Sequence, residues 1–69
     1  MAIKISDFYG WYPRIEMAYQ DGITLFMQYN FTTDEATYIV RDCMHNELEH
    51  KYLGTAVKMF NELIEERKI

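Results

Sequence analysis

Cys43 is the only cysteine in a chain of 69 residues. An intrachain disulfide is therefore excluded, and so are the cysteine-rich zinc sites that hold many small domains together. At this length there is one domain, 1–69, and it buries only about 60% of the surface its unfolded chain exposes. Without a disulfide or a structural metal, the remaining stabiliser is self-association. The sequence thus predicts a homodimer.

The composition narrows the class. Nearly half of the residues are apolar and 16% are aromatic, which is far from the profile of a disordered chain. No stretch approaches the ~20 apolar residues needed to span a bilayer. The opening residues 1–7 lack the apolar run of a secretion signal, and a lone free cysteine suits a reducing compartment. A cytoplasmic protein is expected, of a host cell or of something replicating inside one. The net charge is -4. The bases Lys4, Arg14, Arg41, Lys51, Lys58, Arg67 and Lys68 are scattered, most of them with an acid within four positions. This argues against direct nucleic-acid binding, which uses clustered cations.

Gly10, Pro13, Gly22 and Gly54 divide the chain into four segments. In 6–20, Pro13 suits the first position of a helix that runs to a stop at Asp21-Gly22. In 23–31, Ile23, Leu25, Met27, Tyr29 and Phe31 alternate with other residues, the period of a strand, while nine mostly apolar residues could equally form a short buried helix. In 32–45, Thr32 and Glu35 have capping-box spacing, Phe31 and Ala36 could form the hydrophobic staple, and Ala36, Ile39, Val40, Cys43 and Met44 share one helical face. The β-branched run 37–40 supports a rival hairpin over 23–41. In 46–68, Asn46 can cap a long helix, with Glu47 and Lys51 as an ion pair. Its apolar arc, which includes Leu48, Leu53, Val57, Phe60 and Ile64, spans about 180° and exceeds what one neighbour covers. Phase requires a break near 44–46. The expected fold is mainly α, a small single helical domain with a short β element at 23–31. The alternative is α+β, a hairpin 23–41 plus a long C-terminal helix.

Chemistry is sparse. Glu47-x-x-His50 has the helical spacing of di-iron carboxylate sites, but those sites need a second copy and further glutamates. A solvated helix start is the better reading, and no metal or cofactor is expected. Cys43 shares the stripe of Ile39 and Val40 beside acidic neighbours, which reads as a buried structural thiol rather than a nucleophile. No catalytic set emerges, so the chain is not expected to be an enzyme.

Phe8, Tyr9, Trp11 and Tyr12 crowd around Gly10. Core packing is one reading and base stacking beside Arg14 a weaker one, but four large aromatics are hard to bury in so small a core, and tyrosine and tryptophan are enriched at protein-binding hot spots. Tyr9, Trp11 and Tyr12 are therefore candidate partner contacts. Glu47 and Glu49 join them, as acids able to meet the phosphate channel of a nucleic-acid enzyme. Leu53, Val57, Phe60 and Ile64 are the candidate dimer interface. The expected function is a small acidic protein-binding module that inhibits or modulates a partner. Its sharpest form is a phage-encoded inhibitor of a host nucleic-acid enzyme or defence system, such as a CRISPR effector. The second expectation is a compact DNA-binding transcriptional regulator, with 32–45 and 46–68 as a helix-turn-helix.

Overall fold

The computed structural model describes residues 2–67. A single 3-10 turn, Ile5–Phe8, precedes four strands, β1 Arg14–Gln20, β2 Ile23–Asn30, β3 Glu35–Arg41 and β4 Glu47–His50, and one helix, α1 Leu53–Arg67. The strands form an antiparallel meander in the order β1-β2-β3-β4.

This overturns the mainly helical expectation. Of the helices expected over 13–20, 32–45 and 46–68, only the last exists, and it begins at Leu53; Lys68 lies outside the described residues. The strand expected at 23–31 is β2, and it pairs with β3 in a hairpin over 23–41, within the larger sheet. The helix pair on which a helix-turn-helix regulator depended is absent, since β3 takes the place of its first helix and β4 of the start of its second.

The turns explain why. Asp21 and Gly22 both have positive φ, 55° and 83°, and join Gln20 to its partner Ile23. This is the two-residue hairpin loop whose twist matches that of its strands, not a helix stop. Asn30 Oδ1 accepts the backbone N–H groups of Thr32 and Thr33, and Asp34 closes the loop at φ 59°. That Asx turn takes the place of the capping box and staple expected at 31–36. Asp42 Oδ1 accepts from the backbone of Met44 and Asn46, both at 2.9 Å, and sends the chain back as β4. Asn46 therefore closes a turn instead of capping a helix. The expected Glu47–Lys51 helical pair does not form, since Glu47 starts β4.

Residues opposite one another share a face of the sheet. On one face, Ile23, Leu25 and Val40 pack against Ala56, Phe60 and Ile64 of α1, with Ala18, Tyr38, Met59 and Leu63 at the margin. The i, i+4, i+8 spacing of Ala56, Phe60 and Ile64 makes one stripe on a helix about 22 Å long. The other face carries no helix, yet Ile39 and Thr24 are only 3% and 1% exposed there. Buried Ile39 and Val40 thus serve opposite faces of a central strand. That continuous burial is what imitated a helical stripe over 36–44.

Candidate protein-contact site

The residues from the first turn to Pro13 hold an aromatic cluster at the β2–β3 end of the sheet. The turn is closed by Asp7, whose side chain accepts the Lys4 N–H at 3.0 Å while its own N–H donates to the Lys4 carbonyl. Trp11 N–H donates to the Phe8 carbonyl across Gly10, whose φ is 88°. Trp11 stacks on Phe31 with ring centroids 5.7 Å apart, Phe8 meets Phe31 at a tilt of 30° and 5.0 Å, and Tyr29 meets it edge-on at 4.7 Å. Trp11 stacks on Phe8 as well, at 5.8 Å. Half-buried Phe8 and Phe31 thus form a backing. Trp11 lies on it, 56% exposed, and its neighbours Tyr9 and Tyr12 are also exposed.

The other predicted contacts, Glu47 and Glu49, lie on the helix-free face of β4. Glu47 is held by Arg14, whose Nη1 and Nη2 donate to its two carboxylate oxygens at 2.8 and 3.2 Å. Arg14 Nε donates to Gln28 Oε1 at 2.7 Å. The Arg14 and Arg41 guanidinium groups stand 5.7 and 4.9 Å from the centre of the Phe26 ring, a cation–π arrangement on both counts. Arg14 is on one edge strand and Glu47 on the other. They meet because the sheet coils, which makes this face concave along the Arg14–Glu47 diagonal. The hydrogen bonds from Arg14 hold the Glu47 carboxyl below its ordinary pKa, and the same contact raises that of Arg14. Glu49 accepts from the Thr37 hydroxyl at 3.3 Å. Pairing leaves Glu47 a locally neutralised group, in contrast to the free negative surface expected of it. The network of Arg14, Phe26, Gln28 and Arg41 was missed in the sequence, because it depends on reading 14–20 as a strand.

The expected dimer residues divide. Phe60 and Ile64 lie in the chain's own core against β2 and β3, whereas Leu53 and Val57 remain exposed. Cys43 is exposed, contrary to the buried thiol expected, because it sits in the β3–β4 turn. Its Sγ accepts from Arg67 Nη1 at 3.0 Å. Glu47 and His50 are three apart on a strand, so they point to opposite faces and cannot share a ligand. Among the described residues, the buried His50 Nε2 has no hydrogen-bond partner.

No helix among the described residues is long and apolar enough to cross a membrane. Comparison with protein-family models, curated proteins and solved structures found no match to this chain.

Proposed function

We propose that this chain is a protein-binding module whose main contact is the aromatic patch of Tyr9, Trp11 and Tyr12. The observation that carries this reading is the exposure of Trp11 on a stacked backing. An indole already fixed by Phe8 and Phe31 loses little conformational freedom on binding, and its free surface is available for desolvation by a partner. The module acts by occupying or remodelling a partner in the cytoplasm. Its size and acidity suit an inhibitor encoded by a phage or mobile element, with a nucleic-acid enzyme of host defence, such as a CRISPR nuclease, as the partner class. With Glu47 neutralised by Arg14, the aromatic patch rather than phosphate mimicry is the supported mode of contact.

The test is binding to a panel of purified defence nucleases by biolayer interferometry, with target cleavage read in parallel. Wild type should bind and inhibit one of them. Trp11→Ala should weaken that complex by at least tenfold while the circular dichroism spectrum is unchanged, as expected for a hot-spot residue worth about 2 kcal/mol. Equal binding by wild type and Trp11→Ala would refute the assignment of the patch.

A further inference from the structure

Among the described residues, the outer edge of β1 is unpaired, and it is apolar. Ile15, Met17 and Tyr19 are all exposed, Ile15 by 58%. The accessible surface of 5192 Å² exceeds the ~4,600 Å² expected for a compact monomer of this mass. We propose that β1 pairs with β1 of a second copy of this chain, antiparallel, about a two-fold axis through Ile15, to give a continuous eight-stranded sheet. This inference does not rest on the aromatic patch and concerns a different surface.

The backbone sets the register. Pro13 O accepts from Tyr29 N–H at 3.1 Å, so Pro13 turns its carbonyl toward β2. In an antiparallel ladder the direction alternates. Arg14 and Glu16 therefore present their N–H and C=O groups to the open edge. With the axis on Ile15, Arg14 of each copy faces Glu16 of the other. Each of these two pairs exchanges both backbone bonds, four in all. Ile15 falls on the axis as a pair without hydrogen bonds, where opposed side chains are closest. Pro13 and the bulge at Met17 bound this regular stretch. Moving the axis two residues either way puts it on one of those interruptions, whereas moving it one residue, onto Arg14 or Glu16, keeps the hydrogen bonding but sets Arg14 against Arg14 or Glu16 against Glu16 of the partner.

Charge selects the same arrangement. The axis sets Arg14 opposite Glu16 of the partner on the helix-free face, twice. Arg14 uses three of its five donors on Gln28 and Glu47, leaving two. The opposite edge cannot do this. β4 is four residues long, and an axis on Leu48 would set Glu47 against Glu49 of the other copy. Edge pairing through β1 is thus self-complementary, and through β4 it is self-repelling.

Two measurements test this. In sedimentation equilibrium, wild type should run at twice the 8.3 kDa chain mass at tens of micromolar. Glu16→Arg, which converts both cross-strand pairs to like charge, should raise the dissociation constant about tenfold with an unchanged circular dichroism spectrum. In a Cys43→Ser background, Ile15→Cys should form an interchain disulfide on mild oxidation. Its Cα atoms would stand about 4.5 Å apart, within disulfide range. Met17→Cys should not, because its copies would lie about 13 Å apart along the strands. A wild type that stays monomeric to 100 µM, a series of masses beyond the dimer, or cross-linking through position 17 in place of 15 would each overturn the proposal.

Discussion

Gly22 is the position where a one-carbon change tests the hairpin turn most directly. Its φ is +83°, a conformation costing an L-residue about 1–2 kcal/mol. An added Cβ would also stand 3.3 Å from the Cys43 Cβ, so the β3–β4 turn must shift by a few tenths of an ångström. Because Cys43 is exposed and can give, this contact adds about 1 kcal/mol, the low end for overpacking. Loss of unfolded-chain freedom returns about 0.4–1 kcal/mol. Gly22→Ala should therefore destabilise by about 2 kcal/mol net, or roughly 8–16 °C in Tm for a domain of this size. Gly22→Asn should lose less, because asparagine tolerates the left-handed region. Gly22→Ala with Cys43→Gly should recover the contact's share. Gly10→Ala, at φ +88° with nothing within 4 Å of the new carbon, should show the backbone cost alone. The assay is urea unfolding at one fixed protein concentration, since association would add to apparent stability. A Gly22→Ala variant within 0.5 kcal/mol of wild type, or Ala and Asn variants of equal stability, would refute this account of the turn.

Phe60→Ala removes a ring that is 7% exposed between α1 and β2–β3 and should lose about 3–5 kcal/mol, enough to abolish the cooperative urea transition. Val57→Ala, on the exposed side of the same helix, should stay within about 0.5 kcal/mol. A double-mutant cycle with Arg14→Ala and Glu47→Ala should give a coupling of up to about 1 kcal/mol, as both side chains are about a third exposed, and it should shrink in 1 M salt. Glu47 and Asp42 both titrate below their ordinary values, Glu47 through Arg14 and Asp42 through the Asn46 N–H. Their folded forms favour the carboxylate, so their stabilisation is present above the unfolded pKa and is lost as pH falls through the lowered folded value. Tm measured from pH 6 to pH 2 should drop through that window, and Asp42→Asn with Glu47→Gln should flatten the drop.

Periodicity exposed α1 where the helix packs on a single sheet. Ala56, Phe60 and Ile64 repeat every four residues because only one stripe of the helix is buried. It exposed β2 through alternation, although both faces of β2 are at least partly covered. It misled at β3, where Ile39 and Val40 are buried on opposite sides and the sum resembles a helix face. β1 was hidden by two features. The bulge at Met17 breaks its alternation, and Asp21-Gly22 suits a helix stop as well as a hairpin. Asp21-Gly22 set between the apolar runs 15–19 and 23–25 was the signal that could have decided between them. Crowding suggested the exposure of Tyr9, Trp11 and Tyr12 but did not decide it against core packing. The Arg14–Glu47 contact was not legible, because it joins residues 33 positions apart through the coiling of the sheet.

The meander also fixes an order of assembly. Each strand pairs with the one before it across a short turn, so the sheet can grow hairpin by hairpin as the chain leaves the ribosome. Only α1 must fold back over strands made earlier, because Ala56, Phe60 and Ile64 are synthesised after all four strands. Until they emerge, Ile23, Leu25 and Val40 stand uncovered on a finished sheet. The nascent chain is thus most prone to aggregate between the emergence of β4 and that of α1, and a ribosome stalled after β4 would display an open apolar surface to chaperones and proteases.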